Sequence, residues 1–417
     1  MKKITIVLLA ALVLTFASVF AGCNAMSEFK IGVICDGGKD DTAGYTYAHL
    51  QGVLQMQKEL GLKDGQIIVE DGVPDGDSAA VSAAAEKLIE SGCKMIIGIS
   101  YGYADTMLEK AKENPKIIFS HCSGGKDNFG AGKANNMNNF FGRIYQARYM
   151  AGVAAGFKAK ETGNPNIGYV SAFGHKGEGG TAETASGVNA FALGAQAVYP
   201  DAVIRVKITG AWGDFLLEAE CARTLLDGGC GVITHHGDTV APALETAATE
   251  GKYFIGYNSD IYAAVERSGL DGTAVLTSAV WNWGVYYMKA VKAAMKCFED
   301  GQFISADAWT EFSNYYRGYD KGLFDLTPFS AAASDDTRAA ITALKAWFLD
   351  DDNDWDVFTS NKLNFIFSDS ACVITQSGQI LTANDGTPVP VDRDGVIEDD
   401  VIALSMNYWL KGVEVVP

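Results

Sequence analysis

The sequence predicts an α/β protein built from parallel sheets, in two domains that follow one another along the chain. From Lys30 onward, short β-branched runs alternate with longer amphipathic runs, and this alternation occurs in two successive series. Such alternation is typical of parallel sheets, because each parallel strand needs a crossover connection to the next. The length of 417 residues, 48% of them hydrophobic, suits two or three domains and provides ample apolar surface for their cores.

The first series runs from Lys30 to His121. Its predicted strands are Lys30–Cys35, Gln66–Glu70, Lys94–Ser100 and Lys116–His121. Its predicted helices are Tyr45–Leu60, Asp77–Ser91 and Ala104–Glu113. Asp77 or Ser78 is well placed as the N-cap of the middle helix, since short polar side chains accept hydrogen bonds from the first free amides.

The second series begins after Gly142. Its predicted helices are Tyr145–Lys160, Glu183–Tyr199, Asp214–Asp227 and Thr239–Glu250. Its predicted strands are Asn166–Ser171, Ala202–Thr209, Gly231–Thr234 and Tyr253–Gly256. Strand Gly272–Ser278 and helix Trp281–Phe298 follow, and the rhythm is lost after about Gln302. In this last part we predict an acidic helix, Ser334–Leu349, and short strands near Asn364–Phe367 and Cys372–Gln376.

The N-terminus predicts export from the cytoplasm. Lys2 and Lys3 precede an uncharged run from Ile4 to Phe20, and Ala21-Gly22-Cys23 follows, which is the layout of a secretory signal. Ala-Gly-Cys resembles the lipobox of bacterial lipoproteins, in which the Cys is acylated and holds the protein on a membrane. The alternative is an ordinary signal peptide followed by a chance Cys. We predict a signal over residues 1–22 and a lipid anchor on Cys23.

Composition argues against a nucleic-acid partner. The chain has 33 Lys plus Arg against 51 Asp plus Glu, a net charge of −18, and losing residues 1–22 with their two Lys would make it −20. Affinity for phosphate backbones comes from clustered Lys and Arg, and no basic patch is present. The acidic balance therefore indicates a solvated surface.

The chain shows no pattern of a metal site or of catalysis. Its eight Cys are irregularly spaced without a Cys-x-x-Cys pair, so we expect buried free thiols, with a Cys221–Cys230 disulfide as the alternative. The adjacent His235 and His236 on a strand point to opposite faces and make a poor metal site. Walker spacing, a nucleophile elbow and a Cys-His pair are all missing. We therefore expect no metal, no cofactor and no enzyme.

Rings, carboxylates and amides follow the predicted strands in unusual density. The candidate ligand-binding residues are Asp41, Tyr45, Tyr101, Asp105, Phe173, Trp212, Asp238, Asn258, Asp260 and Trp281. In open parallel sheets, ligands bind beyond the carboxyl ends of the strands. Aromatic faces with a few fixed polar groups suit a flat, polar-edged small molecule. For any single ring, packing in the core is an equally good interpretation.

Several long motifs, in order along the chain, resemble one family. They lie at residues 41–49, 119–124, 142–152, 187–191, 256–260, 280–284, 322–329 and 405–412. Together they resemble the basic membrane protein family, substrate-binding lipoproteins of ABC transporters that are related to purine nucleoside receptors. The resemblance implies the type I periplasmic-binding-protein fold, with two doubly wound lobes joined by three crossings. In lobe terms we expect residues 29–142 plus 259–302 in the first lobe and 143–258 plus 303–417 in the second.

The resemblance also implies a function. A purine base or nucleoside would be captured between the lobes and delivered to a membrane permease by a lipid-anchored monomer. Tyr45 would stack on one face of the purine and Phe173 or Trp212 on the other. Asp41 and Asp105 would read base or sugar edges, while Asp238, Asn258 and Asp260 would supply acceptors near the hinge.

One departure from the family bears on the ligand. Nucleoside receptors carry a Lys at the position of Trp281, and that Lys holds the ribose hydroxyls. An indole removes these donors and adds a flat apolar face, which favours a free base such as adenine. The alternatives are a sensor of the same fold, a hydrolase site formed by the acidic residues, and binding of riboflavin, a sugar or another ring compound.

Overall fold

The computed structural model describes residues 29–123, 134–299, 314–350, 352, 355–359, 363–368, 371–376, 381–391, 396–399 and 401–417. The predicted signal segment 1–22 and Cys23 lie outside these residues. The described chain divides into two units. Unit 1 takes residues within 29–39, 50–141 and 284–315, and unit 2 takes residues within 40–49, 142–283 and 316–417.

Unit 1 is built on a six-stranded sheet. Its strands are β1 (Lys30–Ile34), β2 (Ile67–Glu70), β3 (Cys93–Gly98), β4 (Ile118–His121), β5 (Met137–Gly142) and β11 (Asn314–Arg317), in the order β11-β5-β4-β3-β1-β2. The pairings of β1 to β5 with one another are parallel. The helices are α1 (Tyr45–Leu60, from Leu50 on), α2 (Ser78–Glu90), α3 (Ala104–Glu113) and α9 (Trp283–Glu299, from Gly284 on). Asp77 caps α2 as predicted, accepting from the amides of Ala79 and Ala80.

Unit 2 is built on a seven-stranded sheet. Its strands are β6 (Asn166–Ser171), β7 (Val203–Ile208), β8 (Val232–His236), β9 (Tyr253–Asn258), β10 (Val275–Trp281), β12 (Phe324–Leu326) and β15 (Val413–Val415), in the order β12-β10-β9-β8-β6-β7-β15. The helices are α4 (Tyr145–Thr162), α5 (Ala182–Val198), α6 (Phe215–Asp227), α7 (Ala241–Ala247), α8 (Ile261–Arg267) and α10 (Asp335–Phe348). Among the described strands of this sheet, β12 pairs antiparallel with β10, and the other pairings are parallel. Both sheets are thus doubly wound, which confirms the predicted fold class.

The boundary between the units differs from the one expected from the sequence. Residues 259–283 were expected in the first lobe, but β10 pairs in parallel with β9 and so belongs to the sheet of unit 2. The alternation of strands and helices continues through this region, so it gives no signal of where the chain leaves one sheet. The chain instead passes between units at 141/142, 283/284 and 315/316, besides the short segment 40–49.

Two groups of helices cover the sheet of unit 2. On one side, α6, α7 and α8 form a core with the strands that includes Leu225, Phe254 and Ile261, all buried. Separately, α4 and α5 cross very closely. A Cβ on Gly152 would lie 2.1 Å from the carbonyl oxygen of Phe191, so only glycine permits this approach.

After residue 302 the sequence shows no regular alternation of strands and helices. The described residues of this part add edge strands to the sheet of unit 2 and side-chain contacts with unit 2. β12 and β15 extend the two edges of the sheet of unit 2, and β13 (Leu363–Ser368) and β14 (Ala371–Gln376) form an antiparallel pair. Arg143, at the start of unit 2, donates two hydrogen bonds to Asp399, at 2.9 and 2.6 Å. Asp356 accepts from the Tyr145 hydroxyl at 2.7 Å. Partly buried ionic and hydroxyl contacts thus fix this part of the chain to unit 2.

The cysteines match the expectation of free thiols. Cys35, Cys93, Cys122, Cys221, Cys230 and Cys297 are free and buried. The alternative of a Cys221–Cys230 disulfide is therefore wrong. Burial raises the pKa of Cys230 to about 11, as desolvation disfavours a thiolate. Across the described ranges, no helix combines the length and the apolar character that crossing a membrane requires.

Candidate functional site

The predicted ligand-binding residues lie at the carboxyl ends of strands or in the segments that follow them. Tyr101 and Asp105 follow β3 in unit 1. The other members belong to unit 2: Asp41, Tyr45, Phe173, Trp212, Asp238, Asn258, Asp260 and Trp281. In unit 2 the strand order reverses direction between β6 and β8, where neighbouring strands connect to opposite sides of the sheet. A crevice at such a switch point is the usual ligand site of a doubly wound sheet.

Two aromatic rings meet beside this switch point. Phe173 follows β6 and Trp212 follows β7, and their ring centroids lie 5.1 Å apart with the planes at 70°. Both side chains are half-buried. An edge-to-face pair of this kind leaves ring surface available to a flat ligand.

An amide and a carboxylate are joined next to these rings. Asn258 donates from its Nδ2 to Asp238 Oδ1 at 3.0 Å, and the Asp238 amide donates to the Trp212 carbonyl at 2.8 Å. Asn258 has a φ of 67°, in the left-handed region, and is 1% exposed. Its Oδ1 has no hydrogen-bond partner within the described part of the chain. A buried, unpaired acceptor on a strained backbone is typical of a functional site.

The segment 40–49 brings Tyr45 to unit 2. The Gly44 amide donates to Ser259 Oγ at 2.9 Å, and a Cβ on Gly44, whose φ is 92°, would lie 2.1 Å from the Asp238 carbonyl oxygen. Glycine is required by both the dihedral and the contact. Gly44 therefore fixes the loop that precedes Tyr45 against the loop that carries Asp238.

A stack of rings continues from Tyr45. Tyr45 packs edge-on against His49 at 4.4 Å, His49 stacks on Trp283 at 4.1 Å, and Trp283 stacks on Trp281 at 4.2 Å. Trp281 is 6% exposed, so most of its indole surface is covered, one face of it by Trp283. Burial lowers the pKa of His49 well below its usual value, which keeps the ring neutral within the stack.

The other four predicted residues are exposed. Asp260 is exposed and caps α8, accepting from the Tyr262 amide at 3.1 Å. Asp105 is exposed in the first turn of α3, and Asp41 is exposed on the loop before α1. Tyr101 is 51% exposed. The Asp260 carboxylate therefore has a structural role as the N-cap of α8.

Sequence reasoning missed a buried polar layer beneath the site. His236 ends β8, and its Nε2 lies 2.8 Å from Glu183 Oε1 while its Nδ1 lies 3.3 Å from the Tyr169 hydroxyl. Because a carboxylate only accepts, Nε2 carries the proton and Nδ1 accepts from Tyr169. Burial lowers the pKa of His236. The ring lies 6.2 Å from Trp212 and 4.9 Å from Tyr257, so it supports the aromatic cluster from below.

Arg148 is the second missed member of this layer. Its guanidinium lies 3.3 Å from the centroid of Tyr257 and donates to the His235 carbonyl at 2.8 Å. The side chain is fully buried. A cation over a ring face is stabilised by the ring quadrupole. Arg148 belongs to the 142–152 motif, so the signal was present, but nothing in the sequence paired it with Tyr257.

This arrangement offers ring faces and fixed hydrogen-bond acceptors. Within the described residues, no group of three or more His, Cys, Asp or Glu could hold a metal ion. A separate cavity of about 630 Å³ lies in unit 2 at the amino end of β7, lined in part by Tyr149, Trp355 and Leu410. None of the predicted ligand-binding residues lines that cavity.

The two doubly wound units have the fold of the type I periplasmic binding proteins. A family model described as "ABC transporter substrate-binding protein PnrA-like" matches residues 29–311. The chain belongs to this family, the Bmp family, which confirms the resemblance identified from the motifs. Its members are extracytoplasmic binding components of ABC transporters and not enzymes.

Known proteins similar to the chain agree with this class. A purine-binding protein of Brucella abortus (strain 2308) is 31% identical over 76% of this chain and 80% of its own length. A Haloferax volcanii protein, provisionally named as an ABC transporter glucose-binding protein, is 28% identical over 79% of this chain and 76% of its own. The solved structure of an ABC transporter solute-binding protein from Conexibacter woesei has a TM-score of 0.53 at 19% identity, covering 76% of this chain and 95% of that one; it shows the fold alone.

Proposed function

We propose that this chain captures a purine and delivers it to the permease of an ABC importer, and that it favours a free base such as adenine. The observation that carries the proposal is the edge-to-face pair of Phe173 and Trp212 beside the linked Asp238 and Asn258. Rings supply stacking surface, and the carboxylate and amide oxygens supply acceptors for exocyclic and ring N–H groups. The purine-binding relative from Brucella abortus supports the same ligand class.

The preference for a base over a nucleoside rests on Trp281. Its indole is buried and stacked on Trp283, and no ammonium stands at this position to hold ribose hydroxyls. The buried Oδ1 of Asn258 adds an acceptor that suits a base N–H. We expect adenine to bind at least as tightly as adenosine.

A sugar is the second candidate ligand. The Haloferax volcanii relative carries a glucose-binding name, and an indole with flanking carboxylates also suits the apolar face and hydroxyls of a sugar. The two ligands require different contacts, since a purine needs aromatic rings against its flat faces and a sugar needs hydrogen-bond partners for several hydroxyls. A direct comparison therefore separates them.

The experiment is calorimetric titration of the mature protein with adenine, adenosine, guanine, inosine, glucose and riboflavin. We expect binding of adenine, at least equal to adenosine, and no heat with glucose. Binding of glucose alone would replace the purine proposal, and a clear preference for adenosine would overturn the argument from Trp281. Ligand recovered unchanged after incubation is expected, as the family has no enzymatic step.

We further propose that the chain is a monomer anchored by a lipid on Cys23, after removal of residues 1–22. This follows from the apolar run and the Ala21-Gly22-Cys23 sequence. When cells that express the protein are fractionated, Cys23→Ser should move the protein from the membrane fraction to the soluble fraction. Retention of the variant on the membrane to the wild-type extent would contradict the anchor.

A further inference from the structure

The start of α6 carries an unusual run of exposed apolar side chains. Phe215, Leu216 and Leu217 are consecutive and are 50%, 76% and 40% exposed. The helix buries its other apolar positions, including Ala222, Leu225 and Leu226, against the sheet. Single exposed apolar residues are common, whereas contiguous ones mark interaction surfaces. We call these three residues the α6 patch.

The backbone holds the α6 patch in a fixed position. Asp214 caps the helix, and its Oδ1 accepts from the amides of Leu216 and Leu217 at 3.1 and 3.0 Å. A carboxylate that accepts two helix N-terminal amides stabilises this first turn. The exposed side chains are therefore presented on an ordered turn, which lowers the entropy lost when a partner covers them.

The α6 patch lies at the ligand edge of unit 2. Trp212 lies on the loop that follows the carboxyl end of β7, and the patch begins three residues later, at the start of α6. A ligand that leaves the strand ends must leave from this edge, so the transporter that receives it must face the same edge. The patch therefore lies on the edge of unit 2 that the permease must contact.

The charges around the α6 patch favour the permease as its partner over a lipid surface or a second copy of the chain. From Ile208 to Ala222 the chain contains no Lys or Arg, and Asp214 and Glu220 flank the patch. Asp238 lies beside the loop before the patch, since its amide donates to the Trp212 carbonyl at 2.8 Å. An acidic rim disfavours anionic lipid head groups, and it disfavours a second copy of a chain with a net charge of −18. The partner that fits is an apolar recess bordered by basic groups.

We propose that the α6 patch docks into an apolar recess, rimmed by basic residues, on the extracytoplasmic face of the cognate permease. Leu216 is the central anchor, since it is the most exposed of the three. A few residues near the centre of an interface commonly carry most of its affinity. The proposal rests on the family's partnership with an ABC permease and not on which solute is carried.

The test uses the full-length protein and its cognate permease–ATPase complex in nanodiscs. The variant is Phe215→Ser combined with Leu216→Ser, and the matched control is Leu349→Ser, an apolar residue of unit 2 that is 57% exposed. Binding to the nanodiscs is measured without solute, and stimulated ATP hydrolysis is measured with adenine. We expect the double variant to need at least about 10-fold more protein for half-maximal binding, and the control to match the wild type.

The remaining measurements separate the other occupants. Adenine binding and thermal unfolding should be unchanged in the double variant. Wild-type binding of the double variant to the nanodiscs would overturn the proposal. So would a loss of adenine binding in a folded variant, which would assign the patch to ligand capture. A wild-type dimer in light scattering that the variant lacks, or patch-dependent binding to empty anionic vesicles, would assign it to a second copy or to lipid. Failure of adenine to bind the wild type would affect only the proposed ligand, because docking is measured without solute.

Discussion

The strand ends of the two units carry different chemistry. In unit 2 they present rings, including Phe173, Trp212 and Tyr257, with one strained amide among them. In unit 1 they present hydroxyls and carboxylates: Asp75 accepts from Ser100 Oγ at 2.6 Å and from the Gly102 amide at 2.7 Å. The same doubly wound topology thus supports two kinds of surface. We infer that unit 2 supplies most of the stacking energy for a flat ligand.

Several buried polar groups of unit 1 are hydrogen-bonded to one another. Ser120 and Asn138 both bond the Tyr286 hydroxyl, at 2.8 and 2.7 Å, and His121 bonds the Ser100 carbonyl at 2.9 Å. These buried polar groups are paired within the unit, which rigidifies it. In unit 2 the acceptor Oδ1 of Asn258 is left unpaired by the described residues. That oxygen is available to accept a hydrogen bond from a ligand bound to unit 2.

The largest effect that tests this comparison comes from Trp212. Trp212→Ala should weaken adenine binding about 10- to 100-fold, since base–aromatic stacking contributes about 1–3 kcal/mol. Trp212→Phe should recover most of the loss. The matched ring in unit 1 is Tyr101, and Tyr101→Ala should change the affinity less than about threefold. A larger loss from Tyr101 than from Trp212, measured by calorimetry, would reverse the comparison.

A smaller effect is expected from Asn258. Asn258→Gly removes the hydrogen bond to Asp238 but tolerates the φ of 67°, so we expect roughly 5- to 10-fold weaker adenine binding, about 1 kcal/mol. Asn258→Ala removes the same bond and adds backbone strain. It should lower the free energy of unfolding by about 1 kcal/mol more than the Gly variant. Equal stability of the two variants in chemical denaturation would show that the strain is absent.

The sequence allowed much of the fold to be predicted, for reasons visible in particular elements. Tyr45–Leu60, Ala104–Glu113 and Asn166–Ser171 are observed with the predicted bounds, because amphipathic periods and β-branched runs are local signals. Strand Met137–Gly142 was missed because its Met-Asn-Asn-Phe-Phe-Gly sequence is not β-branched. The crossing at 283/284 was misplaced because sheet pairing is not a local property.

The candidate site was predictable in its location and less so in its contacts. Residues after strand ends could be selected from the sequence, because parallel topology collects them at one edge. The His236–Glu183 contact joins residues 53 positions apart. The contact of the Arg148 guanidinium with the Tyr257 ring joins α4 to β9, which are separated along the chain by several strands and helices. Side-chain pairs of this kind depend on strand order and register, which no single stretch of sequence encodes.

The smallest effect concerns pH and the histidine beneath the unit 2 rings. Burial lowers the pKa of His236 below the ordinary value of 6.5. As the pH falls below about 6.5, the unfolded chain therefore binds a proton before the folded chain does, and stability is lost. One such group changes the free energy of unfolding by at most about 1.4 kcal/mol per pH unit. His49 and His235 act in the same direction, whereas burial raises the pKa of Asp356 and opposes them.

The prediction is that His236→Gln flattens the fall in unfolding free energy between pH 7 and pH 5.5, measured by chemical denaturation at each pH. Because the charge of Glu183 raises the pKa of His236 against the effect of burial, Glu183→Gln should steepen the same fall. In unit 1, His121 bonds a backbone carbonyl instead of a carboxylate, and His121→Gln should flatten the fall as well. An unchanged slope in His236→Gln would mean that both ring nitrogens of His236 are already protonated in the folded protein, and the assignment of a neutral imidazole beneath Trp212 would have to be abandoned.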